Sequence, residues 1–156
     1  LVGQHLGAQN KDQAKRAGWG AMRLSIISMT FFGIVIVAFA EPLARFMIDN
    51  DEVVRLTVIF IWLLGSMQPL MAIEFSLGGA LRGAGDTKTP LVITLTCLLF
   101  IRVFLAVIFF LLDASIEIIF STLLADYIVK GFLYVSRFKS GRWMNVLKIK
   151  EVDQQL

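Results

Sequence analysis

The chain has 156 residues, 57% of them hydrophobic and 17% charged, with a formal net charge of +3 and a mean hydropathy of +0.75. That composition excludes a disordered, highly charged chain and is far more apolar than an ordinary water-soluble domain. One cysteine, Cys97, excludes an internal disulfide framework or a cysteine-based metal cluster.

In chain order, residues 1–20 carry His5, Lys11, Lys15 and Arg16 and read as a polar loop, with His5 solvated. An apolar run over about 21–40 follows, with Arg23 near its start, where a long side chain snorkels to the interface. Residues 41–54, "EPLARFMIDNDEVV", mix acids with apolar residues and read as a short amphipathic element on the surface. The second run, about 56–80, contains Pro69, which removes a backbone donor and is expected to kink or interrupt the helix. The third, about 90–112, starts at Pro90, a residue suited to a first helical turn, and holds Arg102 near its midpoint. The fourth, about 116–135, holds Asp126 and Lys130, and a basic tail occupies 136–156. Each run has about the 20 residues a helix needs to cross about 30 Å of hydrocarbon. The expected fold class is therefore an all-α polytopic membrane protein with four transmembrane helices.

Lysine and arginine set the orientation. Ten of them (Lys11, Lys15, Arg16, Arg82, Lys88, Arg137, Lys139, Arg142, Lys148, Lys150) fall in segments on one side, against Arg45 and Arg55 on the other. The ten-charge side is expected to be cytoplasmic. The basic tail there attracts anionic lipid rather than nucleic acid, and Trp143 reads as an interfacial anchor.

"ALRGAGDTKTP", residues 80–90, lies between the second and third runs. A phosphate cradle of the Walker type needs two glycines four apart followed by Lys and Ser or Thr, and this spacing is absent. The favoured reading is a tight hairpin in which Gly83 and Gly85 end one helix at positive φ and Asp86 or Thr87 caps the next.

This loop, preceded by "VGQHLGAQNKDQAKRA" and followed by "RFKSGRW", resembles the multidrug and toxic compound extrusion (MATE) transporters. The family's "RG.GDT..P" loop matches Arg82, Gly83, Gly85, Asp86 and Pro90. The resemblance implies helices three to six of a six-helix lobe in a two-lobe transporter. With "RFKSGRWMNVLKIKEVDQQL" read as a chain end and Leu1 in place of a start methionine, it implies the second lobe of a longer protein whose first lobe is missing. It also implies a secondary antiporter, not an enzyme, that exports amphipathic and often cationic compounds in exchange for protons or sodium ions, by alternating access. The implied setting is a bacterial or archaeal inner membrane. No organic cofactor, metal or nucleic acid is expected; the partners are the substrate, membrane lipid and the missing lobe. Two alternatives stand beside this: a lipid-linked substrate flippase or polysaccharide exporter of the same superfamily, and a small four-helix channel or assembly subunit.

Ionisable groups deep in a membrane mark a pathway, a relay or an internal pair. Glu74 stands in the second run between Pro69 and Gly78, in backbone expected to be irregular, and reads either as a coupling carboxylate or as a structural one. Some branches of the family place a coupling carboxylate about a turn earlier, where this chain has Met71, so Glu74 inherits that role only by sharing a face with Met71. Met71, with Met67 and Phe75, otherwise reads as core packing, and Trp62 as either core or pocket. Arg102 keeps its charge and needs a partner or water, which favours a structural or gating role. Asp126 and Lys130, four apart, suit a self-satisfying intrahelical pair. No His/Glu zinc pattern, Ser/His pair or paired-Asp constellation assigns catalytic chemistry.

The charge asymmetry generates a topology test. Thr87→Cys and Ser140→Cys should label from the cytoplasmic side of the intact protein and Asn50→Cys from the outside. Labelling of positions 50 and 87 from one side overturns the span assignment.

Overall fold

The structure, a computed structural model, describes residues 1–146 apart from the side chains of Ile116 and Glu117. Lys148, Lys150 and the chain end at Leu156 lie outside the described residues. All regular structure among the described residues is helical: α1 (Val2–Gly7), α2 (Lys11–Ala38), α3 (Ala40–Met47), α4 (Asp51–Gly83), α5 (Lys88–Thr96), a π-helical segment (Cys97–Val103), α6 (Phe104–Leu111), α7 (Ile116–Ser140) and a 3-10 turn (Arg142–Asn145). Four helices are long and apolar enough to cross a membrane: Lys11–Ala38, Asp51–Gly83, the α5–π–α6 unit Lys88–Leu111, and Ile118–Ser140. The chain is thus all-α and polytopic.

The helices outrun the apolar runs that announce them, because helical hydrogen bonding continues into water where hydropathy does not. The Asn10 side chain accepts from the Gln13 amide at 3.1 Å and starts α2 at Lys11. With α1, this replaces the expected loop over 1–20; His5 is half-buried on α1 rather than solvated. Asn50 accepts from the Glu52 and Val53 amides at 3.0 and 3.2 Å, so α4 starts at Asp51 rather than near 56. At the other end, α7 continues past 135 to Ser140, where Gly141 adopts φ 69° and ends it. Residues 40–47 form the short helix α3 within the expected amphipathic element.

Pro69 does not interrupt α4, which runs unbroken from Asp51 to Gly83. The irregular backbone lies instead in the third span, as the π-helical turn around Arg102. What Pro69 does is leave the Gly65 carbonyl without its usual partner four residues on. That oxygen lies 3.0 Å from the point where a side chain on Gly33 of α2 would begin, and a Cβ on Gly65 would in turn overlap Val37. Between apolar helices in lipid the hydrophobic effect gives no attraction, so close backbone approach through small residues supplies the contact. The α2–α4 and α4–α7 interfaces are the two most extensive in the fold.

The buried core gathers at the end of the bundle that carries the 84–87 loop. Ala14 of α2, Leu77, Ala80 and Leu81 of α4, Ile93 of α5, Cys97, and Tyr134 and Phe138 of α7 meet there. Trp143 is fully buried rather than interfacial: its ring stacks on Phe138 at 4.7 Å and its Nε1 donates to the Phe138 carbonyl at 2.9 Å. Trp19 of α2 meets the same Phe138 ring edge-on at 5.4 Å. Burial of the indole is possible because its one polar group finds that carbonyl. The opposite half exposes Phe31, Phe32, Phe104, Phe110 and Leu111, as expected where lipid tails or further protein are the solvent.

Gly33→Leu should push α2 off α4, since a side chain there meets the Gln68 side chain at 2.8 Å and, behind it, the Gly65 backbone carbonyl at 3.0 Å. We expect a loss of about 1–3 kcal/mol, read as a lower melting temperature of the full-length protein in detergent. An unchanged melting temperature sinks the close-crossing assignment.

Candidate functional site

Two groups of polar residues interrupt the apolar interior, one in the loop and one at membrane depth. The loop closes α4 with a left-handed Gly85 (φ 85°), while the Gly85 and Asp86 amides return to the carbonyls of Arg82 and Leu81 at 3.0 Å each. Gly83 does not need positive φ; Gly85 alone in the loop adopts it. Thr87 makes no side-chain cap bond to α5; Asp86 makes it instead, its Oδ1 accepting from the Thr89 amide at 3.2 Å. Asp86 Oδ2 accepts from Arg137 Nε and Nη2 of α7 at 3.0 and 2.7 Å. Burial alone would raise the Asp86 carboxyl, but the bonds from Thr89 and Arg137 outweigh it and hold the carboxyl below the usual aspartate range. Arg82 is exposed, while Pro90, in the first turn of α5, is buried and presents its carbonyl to the Tyr134 hydroxyl at 3.3 Å. The motif is thus a clamp joining α4, α5 and α7, and the geometry leaves its acid facing a protein guanidinium rather than a phosphate.

The second group lies two to three turns deeper. Glu74 stands nine residues before the end of α4, and Lys130 ten before the end of α7. At about 1.5 Å per residue both lie about 14 Å from the helix ends that meet at the loop side. Lys130 Nζ donates to Asp126 Oδ2 at 2.8 Å, confirming the intrahelical pair, and its side chain is only 5% exposed. The pair is not self-contained. Glu74 Oε2 approaches the same ammonium at 3.9 Å from α4, and the Tyr127 ring centroid lies 5.2 Å from it. Asp126 is fully buried, yet among the described residues its Oδ1 has no hydrogen-bond partner, and Glu74 Oε2 has none either. One ammonium therefore serves two carboxylates, with an acceptor oxygen on each left over.

Around this cluster, the Tyr134 ring packs against Gly78, and its hydroxyl lies 3.2 Å from Thr94 Oγ1 of α5. Donating to the Pro90 carbonyl, that hydroxyl accepts from Thr94. Cys97, also buried, closes the third-span side. Met71 is half-buried one turn before Glu74 and brings no polar group. Met67 is fully buried in α4, whereas Phe75 is exposed and lies off the core. Arg102 is not drawn into the cluster. It lines a separate cavity of about 300 Å³ with Phe60, Phe120 and Thr122, and has no ion pair among the described residues. At the far end Arg45 bridges Glu41 and Asp51 at 2.9 Å each, beside a cavity of about 520 Å³ that Trp62 also lines. Those charges are exposed, and such pairs contribute little.

Sequence reasoning found the Asp126–Lys130 pair and, separately, Glu74, and missed that Glu74 joins the pair. Their matched depth was the available signal. It also missed the Asp86–Arg137 clamp, whose partners are 51 residues apart.

Four apolar spans mark an integral, multi-pass membrane protein, with a clamped loop and a charge cluster held among its helices. A family profile described as MatE matches residues 1–108, and the chain belongs to that family. A protein of Thermotoga maritima named "Probable multidrug resistance protein NorM" is 33% identical over 152 residues, covering 92% of this chain and 31% of that protein. Proteins of the same name from Mannheimia succiniciproducens and Pasteurella multocida are 33% and 30% identical over 97 residues, covering 62% of this chain and 21% of each. The chain spans less than a third of the length of these relatives. No solved structure matches it.

The clamp generates a pH and mutation test. Asp86→Ala strands Arg137 and the Thr89 amide and should cost about 1–3 kcal/mol, with a sub-additive double mutant when combined with Arg137→Ala. Because the native carboxyl is held low, its stabilisation is complete above about pH 4, the unfolded value, and is lost as pH falls through the native one. Thermal melts of wild type and Asp86→Ala should therefore converge in acid; a constant gap across that range contradicts the clamp.

Proposed function

We propose that the chain is part of the second lobe of a secondary antiporter that exports amphipathic, often cationic compounds in exchange for protons or sodium ions. Family membership and the names of the relatives support the transport reading. The observation that carries the coupling assignment is the cluster itself: an acid from α4 shares a buried lysine with an acid from α7, and each carboxylate keeps an oxygen without a donor. A structural ion pair in lipid gains from complete satisfaction, and an under-satisfied one is suited to taking up a cation and giving it back. Glu74 is the exchanging group, because its contact with the ammonium is the longer of the two and its side chain, 14% exposed, is the more accessible.

In this reading the described bundle works with a preceding lobe, and the substrate crosses between the two as access alternates. Its setting is the inner membrane of a bacterium or archaeon, with the Asp86 clamp on the cytoplasmic side. Arg102 borders the cavity with Phe60 and Phe120 as a gating or structural charge, away from a cationic substrate's path.

Glu74→Gln in the full-length protein removes the titratable charge and keeps the shape. Export of a fluorescent cation from proteoliposomes under imposed proton and sodium gradients should fall by about a hundredfold or more, the lower end of the range for loss of a proton-transferring group. The melting temperature should hold. Wild-type export under both gradients removes Glu74 from coupling.

A further inference from the structure

This inference rests on the antiporter reading and narrows its coupling ion. Lys130 Nζ occupies the space between the two acids, 2.8 Å from Asp126 Oδ2 and 3.9 Å from Glu74 Oε2, with Tyr127 lying beside it. The groups within electrostatic reach of Glu74 are Lys130 and Asp126 on α7, Tyr134 on the same helix, Cys97 on the third span, and Arg82 two turns along α4. Tyr134 is committed to Thr94 and Pro90. Arg82 is exposed at the loop end. Among the described residues no other side chain places a cation between the carboxylates, so Lys130 sets the balance there.

Two carboxylates and one ammonium sum to a single negative charge. A sodium ion needs several oxygen ligands around it, and the nearest acidic oxygens already flank an ammonium that would repel it. A proton needs only one lone pair. We propose that Lys130 is a resident cation that makes the cluster a one-proton site and denies it to sodium. Uptake forms an O–H bond on the Glu74 carboxylate and brings the cluster to neutrality, the state in which charged groups are least costly to enclose among apolar helices. Release breaks the same bond, returns the proton to water and restores the negative charge, which a cationic compound then balances in the opposite half-cycle. Lys130 keeps its proton throughout and so acts as a positioning and specificity-determining residue.

The test uses the full-length protein in proteoliposomes, with a fluorescent cation, imposed proton gradients, and sodium gradients at matched pH. Melting temperature with and without sodium provides a readout independent of transport. Wild type should export under the proton gradient, while sodium alters its rate by less than about fivefold, the lower limit of ordinary coupling, and leaves the melting temperature unchanged. Lys130→Arg keeps the resident charge and should remain insensitive to sodium on both readouts. Lys130→Met leaves two carboxylates with no counter-cation, and sodium should now raise its melting temperature and stimulate export. Wild-type export driven by sodium alone overturns the inference and leaves the antiporter standing. A sodium-responsive Lys130→Arg, or a folded Lys130→Met that stays proton-driven and indifferent to sodium, also overturns it. Should Lys130→Met fail to fold, the wild-type and Lys130→Arg arms decide the matter. No export under either gradient overturns the antiporter reading and this inference with it.

Discussion

A charge enclosed among apolar helices is tolerable only when other groups replace the water it has lost, and the seat of Lys130 shows how this bundle meets that demand. Asp126 satisfies the ammonium from one turn away on the same helix, and Glu74 reaches it from a neighbouring one. The second contact ties α4 to α7 electrostatically at a depth where Coulomb attraction is weakly screened. It also creates an imbalance, because the attraction is divided between two acids and neither carboxylate is fully served. The same arrangement that holds the two helices together therefore makes their association sensitive to whether Glu74 carries a proton.

That sensitivity would be useless in a loose assembly, and the rest of the packing supplies the stiffness. α2 and α4 approach through Gly33 and Gly65, where Pro69 has freed a carbonyl that lies against Gly33. At the loop end, Phe138 is held between Trp19 and Trp143, which ties the end of α7 to α2 and to the following turn. Asp86 adds the start of α5 through its bonds to Thr89 and Arg137. Dispersion at the glycine crossing and charge-assisted bonding at the clamp replace the hydrophobic drive that lipid does not provide between apolar helices.

Much of this was legible in the sequence, and what was not has identifiable causes. Four apolar runs gave the number of spans and their order because hydrocarbon thickness is a length constraint that composition obeys directly. The helix ends were misplaced because Asn10 and Asn50 cap helices in polar segments, where hydropathy carries no signal. Pro69 suggested a break, yet the missing hydrogen bond was absorbed at a helix crossing, a tertiary circumstance no local rule anticipates. Trp143, placed near a basic tail, suggested an interface anchor, but a carbonyl one turn away satisfied its indole and let it bury. The Asp126–Lys130 pair was readable because its partners are four apart; Glu74 joins them from a different helix, and only matched depth hinted at it.

The two polar groups are also linked by the helix they share. Arg137 of the clamp lies seven residues beyond Lys130 on α7, about 10 Å at helical rise. Between them stand Tyr134, bonded to the third span, and Leu133 and Val135, which border the core. This half of α7 is fixed at several points to α2, α4 and α5. Toward its start, the Phe120 ring meets that of Phe60 at 4.9 Å, and the cavity that Arg102 lines opens beside it. A change in charge at Glu74 thus acts on a helix anchored beyond the cluster at the loop end and packed along the third span toward its start. Facing this helix, the third span carries its π-helical turn from Cys97, in the core, to Val103, so the irregular stretch of that span packs along the helix that bears the cluster.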